Sequence, residues 1–555
     1  MSSPLRVRWL GRVGYREAHA LMTGMWANDP GRALLLLEHP PTYTLGVRAD
    51  LANVLVPPAS VGAELVRTDR GGDVTFHGPG QLVGYPIVDV ALGTNAIPNH
   101  VHAIEQIVID ALADVGLPGA GRYDGYPGVW IGIENGVPRK IAAVGVRVSK
   151  GRSMHGFALN VDVDLDWFDN IVPCGISEFR VTSLAAEGVR VRMRDVVDAV
   201  ARRAAEQWGQ GSDRADVAWA HRPEDLSVFS RTHAEEGGRA APGRALARLE
   251  AAGVDTSSAV TISARKPAWL RAKADFGPEY RSLKKTMRSL DLVTVCEEAG
   301  CPNISECWAD GTATFMINGE RCTRACGFCL VDTRKPEPPS TDEPGRVADA
   351  VARLGLSHAV ITTVARDDLA DGGASGFAAT IAAVRELSPG TAVEVLISDC
   401  KGDPESLDVI FRARPDVLNH NLETVARLQR AVRPSAGYAR SLAVLARAKA
   451  AGLTTKSGVM VGLGESHDEV LGALRDLRAV GVDIVTIGQY LRPTEQHLPV
   501  ARWWTPEEFS ALKAGAEEMG FAHVECSPLT RSSYHARAAA ETAHGSPLAA
   551  SGSFS

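Results

Sequence analysis

The chain has 555 residues, 45% of them hydrophobic and 23% charged, and carries a net charge of −7. Such a length points to two or three domains, and such a composition excludes a disordered or fibrous protein. Mild acidity without a Lys/Arg-rich run gives no footprint for nucleic acid, and no apolar run approaches a membrane span.

The first residues, MSSPLRVRWLGRVGYREAH, lack the apolar core and small-residue cleavage site of a signal peptide, so a cytoplasmic location is expected. Thiols stay reduced there, and clustered cysteines serve as metal ligands or catalysts rather than disulfides.

From Met1 to about Trp208, apolar segments alternate with glycine-rich turns. LVGYPIVDV and KIAAVGVRV read as strands, and Asn99 to Leu117 carries helical spacing up to a glycine, so this part reads as α+β. From 209 to 265, Gly, Ala, Arg and Glu dominate, which reads as a linker with some helix. From 266 to 555 the pattern is strand, turn, helix, repeated. TATFMI, HAVITTV, AVEVLI, DVLNHN, TTKSGVMVGL and DIVTIGQY are the candidate strands. Six βα units point to a parallel, partial TIM-like (βα)6 barrel, with chemistry at the carboxyl ends of its strands.

Six of the nine cysteines fall in two triplets, Cys296, Cys301 and Cys307, then Cys322, Cys326 and Cys329. A structural zinc site closes four ligands, often as Cys-x2-Cys pairs. Three thiolates at Cys-x3-Cys-x2-Cys, directly after a strand, suit a 4Fe-4S cluster with one open iron. A zinc knob with a distant fourth ligand is the alternative.

CTRACGFC on the first βα loop resembles the radical S-adenosylmethionine family. The resemblance implies that Cys322, Cys326 and Cys329 hold a 4Fe-4S cluster whose open iron binds S-adenosylmethionine, which is cleaved to a 5'-deoxyadenosyl radical. CEEAGCPNISEC together with ECWADGTATFMINGERCTRACGFC further resembles lipoyl synthase, over about Lys266 to Ala538. By that resemblance Cys296, Cys301 and Cys307 hold an auxiliary 4Fe-4S cluster that donates sulfur. Its fourth ligand would be Ser533 of the RSSY motif. Asn419, Asn421, Glu423 and Lys456 are strand-end candidates to contact S-adenosylmethionine, or else turn caps. Cys400 and Cys526 match no ligand position and read as packing residues.

The first part has one cysteine, Cys174, between Pro173 and Gly175. Either it is a small core residue or a tight turn presents it as a nucleophile. A thiol needs a base or cation to become a thiolate, and Lys140 stands before an apolar strand, though a solvated lysine is the commoner reading. LLLLEHPPTYTLG, RGGDVTFHGPGQLVGYP, KIAAVGV, HGFALNV and PCGI together resemble octanoyltransferase, of the lipoate and biotin ligase fold, over about Leu5 to Val189.

That resemblance implies a Cys174 acyl-thioester whose thiolate Lys140 promotes. It implies a substrate lining of Arg70, Gly71, Gly72, Asp73, Val74, Thr75, Phe76 and His77, with Ala143, Val144, Gly145, Gly156, Phe157 and Ala158. Gly71, Gly72, Gly78 and Gly80 would let backbone approach an acyl chain and offer N–H groups to an oxyanion. His77 would orient the acyl carbonyl or hydrogen-bond the turn.

The two resemblances imply one bifunctional enzyme of lipoate biosynthesis, with an octanoyltransferase domain at 1–208, a linker at 209–265 and a lipoyl synthase domain at 266–555. Octanoyl would pass from octanoyl-acyl carrier protein to a lysine of a lipoyl domain, and sulfur would then enter at carbons 6 and 8. Implied partners are lipoyl domains of 2-oxoacid dehydrogenase complexes, glycine cleavage H protein, and an electron donor such as flavodoxin or ferredoxin. No nucleic acid or membrane partner is expected. A first part that only recruits lipoyl domains, and a radical enzyme of other outcome, are the rival readings.

Overall fold

Period-two apolar patterning builds the first sheet. The computed structural model describes residues 4–175, 178–217, 242–271, 303 and 312–544, and the chain divides into units Met1–Ala220 and His221–Ser555.

In the first unit, β1 (Leu5–Arg12), β2 (Ala33–Glu38), β3 (Thr42–Leu45), β4 (Glu64–Arg67), β5 (Val74–His77) and β6 (Gln81–Ile87) precede β7 (Gly121–Tyr123), β8 (Tyr126–Ile131), β9 (Arg139–Ser149), β10 (Arg152–Asn160), β11 (Arg180–Val181) and β12 (Ser212–Asp216). One mixed sheet has the order β12-β1-β2-β6-β10-β9-β8-β7, with β11 on β9, and a small sheet has the order β4-β3-β5. Helices Ala96–Asp114 and Met193–Trp208 share an apolar core with the large sheet, through Ile104, Val108, Val197 and Val200 against Leu34, Leu82 and Leu159.

The first of these helices begins three residues earlier than its pattern predicts, because Pro98 is tolerated in a first turn where N–H groups have no helical partner. It stops where Gly116 turns left-handed and the Leu117 N–H caps the Leu112 carbonyl, 2.8 Å away.

The second unit holds seven parallel strands in sequence order: β13 (Thr312–Ile317), β14 (His358–Thr363), β15 (Ala392–Leu396), β16 (Val417–Asn419), β17 (Thr454–Val461), β18 (Ile484–Gln489) and β19 (His523–Cys526). Helices Glu343–Leu354, Ala374–Leu387, Pro404–Arg412, Tyr438–Ala450, His467–Ala479 and Pro506–Glu518 fall one per connection. This is the expected (βα)6 arrangement, open-edged, with β19 added as a seventh strand at one edge. Capping boxes at Ser466/Glu469 and Thr505/Glu508 start the last two of these helices.

Two stretches inside 209–265 are not free linker. Ser212–Asp216 pairs in parallel with β1, its Asp213 carbonyl taking the Arg8 guanidinium at 2.8 Å. Pro242–Ala251 is helical, and Val260 bridges to Val500, with its N–H 2.8 Å from the Val500 carbonyl. No described helix is long and apolar enough to cross a membrane.

Candidate active sites

The first site forms where β5, β9 and β10 converge. Arg70 is buried and clamped: its Nη2 donates to the Thr44 carbonyl at 2.7 Å and to Thr44 Oγ1 at 2.8 Å. Burial draws its pKa down. The next residues lean on β9 so closely that a Cβ on Gly145 would stand 2.9 Å from the Gly71 carbonyl, a contact only glycine permits. The Gly71 N–H is spent on the Val146 carbonyl at 3.0 Å, and that of Gly80 on Glu38 Oε1 at 2.7 Å. Those two donors are therefore not available to an oxyanion.

Strand alternation then sorts the motif. Thr75 and His77 face the cavity, while Val74 and Phe76 pack on the opposite side, Phe76 stacked 5.1 Å from the Trp167 ring. His77 is neutral, because burial holds it well below the usual histidine range. Its Nδ1 meets Gln81 Oε1 at 2.9 Å.

Cys174 crowns a one-turn 3-10 segment, Pro173–Gly175, in which Cys174 has φ +58° and Gly175 φ +70°. Two successive left-handed residues hold the thiol out of any strand or helix, half-buried and free. Below it the loop is pinned: Val172 N–H meets the Asn53 carbonyl at 2.8 Å, and Asn53 Nδ2 meets Asp73 Oδ2 at 2.6 Å.

Cys174 borders two adjoining cavities. One is lined by Arg70, Gly71, Gly72, Asp73, Thr75, His77, Ala143, Val144, Gly145, Gly156, Phe157 and Ala158. The other contains Lys140 with Thr75, Ala143 and Ala158. Lys140 is 7% exposed, its Nζ 4.8 Å from the centre of the Trp130 ring. A buried lysine against an indole face is not the solvated strand-end lysine of the rival reading.

Of the expected lining only Val74 and Phe76 are absent from these cavities, as are Gly78 and Gly80 of the same glycine run. Tyr15, Val83, Tyr85 and His155 complete the first cavity and were not foreseen. Val83 and Tyr85 stand within RGGDVTFHGPGQLVGYP and His155 opens HGFALNV, where the β6–β10 pairing aligns them; only Tyr15, on the helix Tyr15–Asn28, lies outside every motif.

The second site lies at the carboxyl ends of β13 to β16. Cys322, Cys326 and Cys329 converge; burial first, then the sulfur of Cys326 and Cys322, pushes Cys329 up to about 12. Burial also pushes Cys326 up to about 11. Cys322 Sγ accepts N–H groups from Arg324 at 3.4 Å and Ala365 at 3.3 Å. Three converging thiols, one already receiving N–H donors, fit a cluster with three thiolate ligands.

The loop is braced by Arg324, which sequence reasoning missed. Its Nε and Nη2 grip both oxygens of Asp367 at 2.7 Å, and Nη2 reaches the buried Asp399 at 2.6 Å.

Of the four strand-end candidates, Asn421 and Glu423 stand at the mouth. Glu423 has φ +70°, and burial raises its carboxyl pKa. Asn421 Nδ2 donates to Glu423 Oε1 at 3.1 Å and to Ser532 Oγ at 2.7 Å, joining the β16 end to the RSSY motif. Lys456 and Asn419 do not stand at the mouth. Lys456 Nζ lies 3.0 and 3.2 Å from the two oxygens of Glu394, both side chains wholly buried, and Asn419 Nδ2 adds a bond at 3.2 Å. That network fills the barrel interior.

Cys296, Cys301 and Cys307 lie outside the described residues. Asn303, two positions past Cys301, is described and buried; its Nδ2 donates to the Leu529 carbonyl at 2.7 Å, four residues before Ser533. Ser533 itself is half-buried.

Comparison with known proteins follows the same division. Residues 15–205 match the lipoyl protein ligase A/B catalytic domain, 253–301 the N-terminal domain of lipoyl synthase of the radical SAM family, and 316–477 the radical SAM superfamily. The lipoyl synthase of Rubrobacter xylanophilus is 59% identical over 289 residues, which cover 52% of this chain and 90% of that protein. That of Mycobacterium tuberculosis (strain ATCC 25177 / H37Ra) is 53% identical over 312 residues, 56% of this chain and 99% of that protein. Among solved structures, a bi-partite lipoate protein ligase of Thermoplasma acidophilum aligns at TM-score 0.33 and 20% identity, over 41% of this chain and 91% of that one. Methylornithine synthase aligns at TM-score 0.32 and 14% identity, over 54% and 85%.

Proposed function

Because the chain belongs to the lipoyl synthase family and carries a lipoyl protein ligase A/B catalytic domain in front of it, we propose that one polypeptide both places an octanoyl group on a lipoyl domain and converts it to lipoyl. The chain is thus a bifunctional enzyme of lipoate biosynthesis that depends on 4Fe-4S clusters and S-adenosylmethionine.

In the first reaction, the Cys174 thiol gives its proton to Lys140 and the thiolate attacks the octanoyl thioester of acyl carrier protein. The new S–C bond forms as the carrier thiolate leaves and takes the proton back from Lys140. The amine of the lipoyl-domain lysine then attacks the Cys174 thioester, and Lys140 receives the amine's proton. An amide forms and Cys174 returns as the thiolate. The cavity shared by Cys174 and Lys140 is the observation that carries this reading. His77, neutral and fixed by Gln81, orients the acyl group without competing as a cation.

In the second reaction, Cys322, Cys326 and Cys329 would hold one cluster, and Cys296, Cys301, Cys307 and Ser533 the auxiliary one. With two S-adenosylmethionine molecules per lipoyl group and electrons from an external donor, the first cluster would supply hydrogen abstraction at carbons 6 and 8 and the auxiliary one the sulfur. The braced loop fixes the three thiolates, and Asn421 and Glu423 line the approach to them. The RSSY segment is tied to Asn421 through Ser532, which supports its neighbour Ser533 as the auxiliary ligand. Domain bodies of 1–208 and 266–555 joined by 209–265, and a cytoplasmic setting with flavodoxin or ferredoxin as electron source, belong to this reading. So do lipoyl domains of 2-oxoacid dehydrogenase complexes and glycine cleavage H protein as acceptors.

The test is the intact mass of a lipoyl domain after anaerobic incubation with the full chain, octanoyl-acyl carrier protein, S-adenosylmethionine and reductant. A lipoylated product supports both halves. Octanoylation alone leaves the cluster assignments refuted, and an unmodified domain with intact clusters refutes the transferase.

A further inference from the structure

The rim beside Cys174 carries an apolar and cationic surface that the acyl chemistry does not use. Residues 46–55 run between the two segments that build the site. On one side the Gly46 N–H meets the Asp73 carbonyl at 3.3 Å and the Arg48 N–H the Gly72 carbonyl at 3.2 Å. On the other the Leu55 N–H meets the Asn170 carbonyl at 2.9 Å, and Val54 bridges to Ile171. A 3-10 turn, Leu51–Asn53, fixes the middle, the Asp50 side chain accepting the Ala52 N–H at 2.9 Å.

The backbone is thus held on both flanks while Val47, Leu51 and Leu55 point outward, 65%, 57% and 57% exposed. Three large apolar side chains exposed within nine residues are the kind of group that marks an interaction surface. Arg48 is exposed among them. Arg67 is exposed on the neighbouring edge strand β4, and neither makes an ion pair with a described residue. None of Val47, Arg48, Leu51 or Leu55 lines the cavities.

We propose that this face is the seat of an acidic carrier protein that delivers the octanoyl thioester to Cys174. The inference rests on the acyltransferase reading above and names where its donor docks. Arg48 and Arg67, against the one exposed carboxylate of the segment at Asp50, leave a cationic balance complementary to an acidic body, and the leucines supply the desolvated centre that such an interface needs. A body seated here touches the rim but not the cavity lining, and the carrier's pantetheine arm carries the octanoyl thioester from such a seat to Cys174.

The experiment compares two donors in the full chain with its clusters in place: octanoyl-carrier protein, and octanoyl-pantetheine, which has the arm without the body. In the double variant Leu51→Asp/Leu55→Asp, and separately in Arg48→Glu, KM for octanoyl-carrier protein should rise about tenfold. The kinetics with octanoyl-pantetheine and the KM for the lipoyl domain should hold within about twofold, and Arg48→Lys should restore the carrier KM. Equal loss with both donors, an unchanged carrier KM, or a rise in the lipoyl-domain KM instead would each overturn the assignment. If the wild-type chain fails to acylate Cys174 from either donor, the acyltransferase reading itself falls, an outcome distinct from all of these.

Discussion

Lys456 offers the sharpest test of how the barrel is built. Its ammonium and the Glu394 carboxylate are both 0% exposed and sit 3.0 and 3.2 Å apart. Replacing lysine by methionine keeps most of the volume but strands a carboxylate whose other neighbours are Asn419 Nδ2 at 3.2 Å and His358 Nε2 at 3.5 Å. Burial alone raises a carboxyl pKa, and the lysine charge is the largest influence holding Glu394 low. Removing one member of such a pair costs about 3–5 kcal/mol.

Hydrogen exchange of peptides spanning β16 to β18 reads that cost without requiring the two units to unfold together. Protection should fall by two to four powers of ten, at about 1.4 kcal/mol per factor of ten. The double variant Lys456→Met/Glu394→Gln, which leaves no buried charge, should recover most of the loss. Exchange unchanged in the single variant, with weakened S-adenosylmethionine binding, would return Lys456 to the barrel mouth and refute the reasoning.

Three further outcomes are expected. Incubation with octanoyl-acyl carrier protein should add one octanoyl group to the chain, seen by intact mass. Cys174→Ser should lose that thioester, and Lys140→Met should slow its formation by about a hundredfold while the cysteine remains. Arg324→Met leaves the buried Asp399 with the Lys401 N–H at 3.1 Å and no described guanidinium nearer than Arg440 at 3.9 Å, so the Cys322 loop should lose its cluster. Iron per chain should drop to about half of the two-cluster value, whereas Arg324→Lys should retain more; full iron and an unaltered paramagnetic spectrum in Arg324→Met would refute the brace.

Finally, burial lowers His39 and His100 to about 4 from 6.5. Their folded forms are neutral while the unfolded chain binds protons between those values, so stability is complete above pH 6.5 and is lost as pH falls toward 4. For His39 alone this is about 3 kcal/mol, and His39→Gln should flatten the pH dependence of the urea midpoint.

Much of this was legible in the chain. The barrel strands announced themselves because buried parallel strands are runs of β-branched residues, and the cysteine spacing placed the second site directly. β19 escaped because its His523 and Glu525 interrupt a four-residue strand, and β12 because Ser-Asp-Arg-Ala-Asp has no apolar face. Its edge position asks only for backbone pairing to β1 and a bond from Arg8.

In the first site a contiguous motif overstated the lining: period two turns Val74 and Phe76 into core residues between Thr75 and His77. Tyr15 was invisible because it lies outside every motif and only the packing of its helix delivers it, whereas His155 opens HGFALNV and was legible there. Lys456 misled for a related reason, since a polar residue on a barrel strand faces either mouth or interior, and only its partner Glu394 on β15 decides which.

The docking of residues 242–271 onto the barrel has a practical corollary for dissecting the molecule. A Cβ on Gly464 would stand 2.6 Å from Val254, and Val260 completes a bridge to Val500. The composition-poor stretch before Lys266 is therefore a strap sealing the barrel wall. A sulfur-inserting half released by cutting at residue 266 would expose that wall and be expected to aggregate. A cut upstream of Pro242 keeps the strap, and leaves the first half with the β12 strand that completes its own sheet.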